Sequence, residues 1–245
     1  MNITRAVKHL IIANIIFFII ALIITEFKSR TALYYFENPD FHWWQVFSHM
    51  FMHANEMHIL FNMFALFSFG VPLEHYFGSN RFILFYFACG LGSAFLHTAI
   101  NYYEFHHYVN IILKDDYTYE QIIQVINNGK IYTEWKNILP ETDINNLFSS
   151  YFSSAVGASG AIYGILVAFG MLFPNAELML MFLPIPIKAK YFIPVLILLD
   201  LFSGITGISI LGQNIAHFAH IGGAVIGFLL MWIWRKNSFN NRRIY

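Results

Sequence analysis

The sequence predicts an all-α fold, a bundle of six transmembrane helices, and three observations carry that reading. Of 245 residues, 58% are apolar and only 11% charged, where soluble domains run near about 45–50% and roughly 25%. The 27 Phe, 14 Tyr and 5 Trp form an aromatic load that water tolerates only when most of it is buried. Apolar stretches close to the ~20 residues needed to cross a hydrocarbon core of ~30 Å recur six times along the chain. The medium is therefore a lipid bilayer. With 14 basic and 14 acidic side chains the formal charge is zero, which leaves no basic face for nucleic acid. The lone cysteine, Cys89, excludes an intramolecular disulfide and a four-thiolate zinc site.

The elements follow in order. Leu10–Thr25 is the first span, extended backwards by Ala6 and Val7; Arg5 and Lys8 precede it, but no small-residue cleavage site follows, so it reads as a span and not a signal peptide. Met57–Phe77, Phe82–Ile100, Ala155–Phe173, Phe192–Leu211 and Ile215–Trp234 are the other five. Four of the six carry polar or small residues, so one face of each turns toward protein or water. Six spans place both termini on one side. That side holds Arg5, Lys8, Arg81, Lys188, Lys190, Arg235, Lys236, Arg242 and Arg243; the other holds Lys28, Arg30, Lys114, Lys130 and Lys136 in much longer loops. The excess of basic residues puts both termini in the cytoplasm. The two long connections, Glu26–Glu56 and Tyr102–Ser154, then lie outside, the first with Trp43 and Trp44 at headgroup level. Segment Thr118–Asn127 alternates like a short amphipathic helix, so 102–154 reads as a small external insert within one membrane domain spanning 1–245.

Polar residues inside spans are costly and each asks for a reason. The densest set contains His49, His53, His58 and Asn62. His58 and Asn62 share one helical face, four residues apart. Imidazoles at that spacing suit zinc, yet no His-Glu-x-x-His is present, and the usual base glutamate of a metalloprotease is missing. An aspartyl intramembrane protease needs two aspartates within spans, and only Asp200 qualifies. The reading therefore calls for no metal and no cofactor.

The fourth span opens with Gly157, Ser159, Gly160, Tyr163 and Gly164. A serine at a helix start is an ordinary N-cap or close-packing site. It also suits a nucleophile, because first-turn N–H groups are free to face an oxyanion and glycines let a substrate backbone approach. The sixth span supplies a base. His220, Gly223 and Gly227 form one stripe, and pressing the two glycines on Gly160 and Gly164 brings His220 to Ser159. Tyr163, one turn below Ser159, packs on the imidazole. Gly222 lies about 100° around the helix, away from that seam. His217 is the rival base. Asp200, mid-span and deeper than His220 by this count, reads as an interhelical hydrogen-bonding residue and not as a third catalytic acid.

Here the chain resembles the rhomboid family of intramembrane serine proteases, from about Trp44 to Gly227. The family's second-span pattern His-x-x-x-His-x-x-x-x-His-x-x-x-Asn is matched by His49, His53, His58 and Asn62, its Gly-x-Ser-Gly by Gly157, Ser159 and Gly160, and its Ala-His-x-x-Gly-x-x-x-Gly by Ala219, His220, Gly223 and Gly227. The resemblance implies a rhomboid-like bundle, a Ser159–His220 dyad, an oxyanion hole lined by His58 and Asn62, and a glutamate after the second span, matched by Glu74. It implies transmembrane proteins as substrates and, for the bacterial type, the inner membrane as location. The chain departs from the family pattern at Gln45, where members often carry Arg after Trp, and in the long insert.

Overall fold

A computed structural model describes residues 2–180, 183–208, 210 and 216–241. In chain order the elements are α1 (Arg5–Ile23), α2 (Thr25–Thr31), α3 (Gln45–Ser48), α4 (Glu56–Phe77), α5 (Ser79–Ile112), α6 (Tyr119–Asn127), α7 (Trp135–Ile138), α8 (Glu141–Phe152), α9 (Ser159–Leu172), an antiparallel pair β1 (Glu177–Leu180) and β2 (Leu183–Lys188), α10 (Ala189–Thr206) and α11 (His217–Asn241). Among the described residues α1, α4, α5, α10 and α11 are long and apolar enough to cross a membrane, and α9 is a shorter apolar helix. The protein is a multi-pass integral membrane protein with an all-α bundle.

The first helix begins at Arg5, earlier than its apolar run, because its N-terminus is capped from another element. Ala6 N–H and Val7 N–H donate to the two carboxylate oxygens of Glu74 at 2.8 and 2.9 Å, and Ser79 Oγ donates to the same group at 2.6 Å. A carboxylate at a helix N-terminus satisfies orphan N–H groups and meets the positive end of the helix dipole. Ala6 and Val7 are accordingly buried.

The third and fourth spans differ from their sequence reading in ways that shape the site. The third runs as one 34-residue helix, α5, about 51 Å long at 1.5 Å per residue. Neither Gly nor Pro interrupts 101–112, so residues 102–112 of the expected insert are a continuation of the membrane helix. The fourth is shorter, not 155–173 but the 14 residues of α9, about 21 Å. The reason is Gly157, whose φ of +125° is closed to other residue types; the chain before it is extended, with Ala155 paired to Leu33 by backbone hydrogen bonds of 2.9 Å in both directions. The fifth span starts at Ala189, before Phe192, and its helix ends at Thr206; the sixth runs on past Trp234 to Asn241. Leu211, Ile215, Arg242 and Arg243 lie outside the described residues.

The centre of the bundle is α9: every residue from Gly160 to Phe169 is buried, enclosed by α4, α5, α10 and α11. At 14 residues α9 is shorter than the ~20 needed to cross the hydrocarbon core.

The insert has its own core. Phe105, Val109 and Ile112 on α5 bury against Ile122 and Ile126 of α6, Trp135 of α7, and Ile144, Leu147 and Tyr151 of α8, with Tyr35 of the first long loop completing the cluster. Thr118 and Gln121 form a capping box at the start of α6, which matches the amphipathic reading of 118–127.

Candidate active site

The side chain of Ser159 stands at the first position of α9. Its Oγ lies 2.8 Å from Nε2 of His220, four residues into α11. Two glycine pairs set this separation. A Cβ added at Gly223 would collide with the carbonyl oxygen of Gly160, and one at Gly227 would come within 2.6 Å of the Gly164 Cα. The helices therefore touch backbone to backbone along the expected stripe. Tyr163 stacks on the His220 ring, centroids 4.2 Å apart and planes at 14°.

Gly222, placed by sequence away from this seam, lies in a second one. A Cβ there would strike the Gly92 carbonyl of α5 and come 2.8 Å from the Leu96 Cβ. So α11 presses on α9 with one face and on α5 with the next.

A cavity of about 630 Å³ opens over the pair, bounded by His49, the segment 54–58, Phe61, Ser93, the strand-like segment 154–157, Ser159, Gly160, Ala216, Ala219 and His220. His58 lines it. Its backbone N–H is capped by Asn55 Oδ1 at 2.9 Å, and its Nδ1 accepts the Ala54 N–H at 3.4 Å, which leaves Nε2 as the nitrogen that carries the imidazole proton. The same Nε2 packs against Gly157, where a Cβ would come within 2.8 Å of it. Gly157 is thus required both for its backbone angle and for the approach of His58. Asn62 is buried one turn along α4, its Nδ2 without a partner among the described residues; it is not part of the cavity lining.

His49 is part of the cavity wall, and His53 stands behind it. His49 Nδ1 donates to the Gln45 carbonyl at 2.9 Å, and the His49 carbonyl accepts the Gly157 N–H at 2.9 Å. That ties the loop before α4 to the residue beside the serine. Burial pushes the His49 imidazole down to about 4. Burial, with His58 close by, pushes His53 down to about 3; its ring meets His58 edge-on at 5.0 Å. Both are neutral supports at physiological pH. Gln45, the departure from the family pattern, is fully buried, with Nε2 donating to the Asp40 carbonyl at 2.8 Å and Oε1 accepting the Tyr34 N–H at 3.3 Å. It stitches the first long loop together without a charge.

Asp200 is an interhelical hydrogen-bonding residue as expected, but its depth differs from the sequence reading. It is fully buried on α10, level with His220, and its Oδ2 accepts from His220 Nδ1 at 2.9 Å. Its Oδ1 hydrogen-bonds His217 Nδ1. The structure sets Asp200 nearer the loop end than the apolar run suggests, because α10 ends at Thr206, with Gly207 in the left-handed region as its C-cap, while the apolar run continues to Leu211. Counting back from Gly207 sets Asp200 two turns from the loop end, opposite the first turn of α11. His217, the rival base, is turned to Asp200; it is His220 that faces Ser159. Ser93 on α5 also lines the cavity; its place beside Gly90 and Gly92 was the only local sign of it.

The family model of the Rhomboid domain matches residues 40–107 and 142–237. Residues 108–141, the distal part of the insert, lie between the two matched segments. The chain is 27% identical to Rhomboid protease AarA of Providencia stuartii over 191 residues, which cover 77% of this chain and 54% of that protein. It is 25% identical over 186 residues to "Rhomboid protein 1, mitochondrial" of Saccharomyces cerevisiae, covering 76% of this chain and 40% of that one. With RHOMBOID-like protein 1 of Arabidopsis thaliana the identity is 27% over 206 residues, 81% of this chain and 37% of the relative. The chain thus spans about half or less of the length of these relatives. With the matched segments covering both the loop that carries His49 and His53 and the helices that carry Ser159, Asp200 and His220, the chain belongs to the rhomboid family.

Proposed function

We propose that the protein is an intramembrane serine endopeptidase that cuts transmembrane segments of membrane-protein substrates. The observation that carries this is the 2.8 Å contact between Ser159 Oγ and His220 Nε2 at the floor of a cavity bounded by the long-loop end of the bundle. His220 takes the hydroxyl proton as Ser159 Oγ attacks a peptide carbonyl. The negative charge developing on the carbonyl oxygen is met by the Ser159 N–H at the start of α9, the His58 Nε2–H and the Asn62 amide. His220 then gives its proton to the leaving amine, and water hydrolyses the acyl-enzyme by the reverse proton path. No cofactor enters.

The substrate class follows from the site's position. A peptide bond inside a helix is shielded by its own hydrogen bonds, so a segment with small or helix-breaking residues is the one that unwinds into the cavity. The basic residues Arg5, Lys8, Arg81, Lys188 and Lys190 at the other end of the bundle support a cytoplasmic location for both termini; with the cavity open outward, a bacterial inner membrane fits this layout. Residues 1–245 act as one membrane domain, with 102–154 as its external insert.

A fluorophosphonate probe tests the reading on purified protein in detergent. It should label the wild type and leave Ser159→Ala unlabelled, and the alanine variant should not cleave a transmembrane substrate although it unfolds at the wild-type temperature. Cleavage by Ser159→Ala at near wild-type rate would end the serine mechanism.

A further inference from the structure

We propose that Asp200 is a positioning residue for the base: it fixes His220 in the Nδ1–H tautomer, so that Ser159, His220 and Asp200 work as a three-member chain. The proposal rests on the serine-peptidase reading above. The relevant geometry is one buried carboxylate shared by two imidazoles. Oδ2 faces His220 Nδ1 at 2.9 Å, and Oδ1 faces His217 Nδ1. An ionised carboxylate only accepts hydrogen bonds, so each group that faces it must donate. His220 therefore carries its proton on Nδ1, and Nε2 presents a bare lone pair to Ser159 Oγ at 2.8 Å. The other neutral tautomer would point an N–H at the serine and accept nothing.

The proton balance is simple. When Ser159 attacks, its proton moves to Nε2 while the Nδ1 proton stays on nitrogen, so His220 becomes an imidazolium held against the Asp200 carboxylate. Asp200 is never protonated; it orients the ring and offsets the new positive charge. A carboxylate within a membrane bundle is costly unless its partners satisfy it, and here they include the one imidazole that faces the serine. A purely structural role, a pin between α10 and α11, is already met by His217 on Oδ1. The second oxygen is aimed at the reacting chain.

The test separates tautomer from fold. Nitrogen-15 solid-state NMR on the wild-type protein in lipid should find His220 protonated at Nδ1 and bare at Nε2. In Asp200→Asn, nearly the same shape, the ring should lose that fixed tautomer, and kcat should fall ~10²–10⁴-fold with KM little changed, the order seen when a base is left in the wrong tautomer. Asp200→Glu keeps an acceptor and should recover part of the loss, and His217→Gln should retain measurable cleavage. The proposal is overturned if wild-type His220 carries its proton on Nε2, or if Asp200→Asn keeps kcat within about 3-fold of wild type. The wild-type spectrum decides even where a variant does not fold. Absence of probe labelling at Ser159 in the wild type would sink the peptidase reading; normal labelling of both wild type and Asp200→Asn at one rate would sink only the role of Asp200.

Discussion

Gly227 on α11 rests against Gly164 on α9 so closely that a Cβ on the first would come within 2.6 Å of the Cα of the second. With Gly223 on Gly160 one turn earlier, this contact sets the distance between Ser159 and His220. Gly227→Val should therefore cost stability and activity together. Overpacking costs about 1–3 kcal/mol, and a displacement of about 1 Å in a catalytic pair costs about 100-fold in rate. Gly222→Val should be comparably harmful, through the seam with Gly92 on α5. Val225, half-exposed on the same helix, is the control, and Val225→Leu should change neither. Thermal unfolding in detergent and cleavage of a transmembrane substrate check all three; a harmless Gly227→Val would mean that the backbone contact does not govern the site.

The second prediction concerns the oxyanion donors. His58 lines the cavity with Nε2 as its N–H donor, whereas Asn62 is buried behind that lining. Removal of one donor among several costs about 10²–10³ in turnover. His58→Ala should lie in that range, with labelling of Ser159 slowed but present, because nucleophile and base remain. Asn62→Ala should fall between about 10-fold and that limit. Turnover of a transmembrane substrate, measured beside the labelling rate, checks both. Wild-type turnover in His58→Ala would remove it from the oxyanion site.

The residues legible in the sequence were those whose spacing carries the geometry. Glycines four apart on two helices announce a backbone contact, and the serine and histidine at the head of each stripe then have to meet. Asp200 was not legible at its true depth, because the depth depends on where α10 stops. Hydropathy runs on through Ile208–Leu211, and only the cap at Gly207 marks the helix end. The extent of α5 was hidden for the same reason: an apolar window reports where lipid is tolerated, not where a helix without Gly or Pro keeps going. Gln45 read as a loop departure because nothing local signals that its amide is buried and bonded to Tyr34 and Asp40. The amphipathic Thr118–Asn127 was legible as a helix, but its attachment to Glu37, 82 positions before Tyr119, has no local pattern at all.

That attachment gives the last prediction. Glu37 in the first long loop accepts hydrogen bonds from Tyr119, from His106 Nε2 at 3.0 Å and from Tyr35 at 3.0 Å, while the Asn38 side chain donates to the Tyr151 carbonyl at 2.9 Å. Burial works to raise the Glu37 carboxyl, but the bonds from Tyr119, His106 and Tyr35 together outweigh it, so the group sits below its ordinary 4.5. A carboxylate depressed by folding adds stability that is complete above the unfolded value and is lost as pH falls through the folded one. The insert should therefore hold to the loop at pH 7 and loosen only below about 4.5. Hydrogen–deuterium exchange over residues 102–152, corrected for the intrinsic pH dependence of exchange, measures this. Wild type should lose protection as the pH falls below about 4.5, whereas Glu37→Gln should be less protected already at pH 7 and change less on acidification. Equal protection of the two proteins at pH 7 and on acidification would mean that Glu37 does not hold the insert in place.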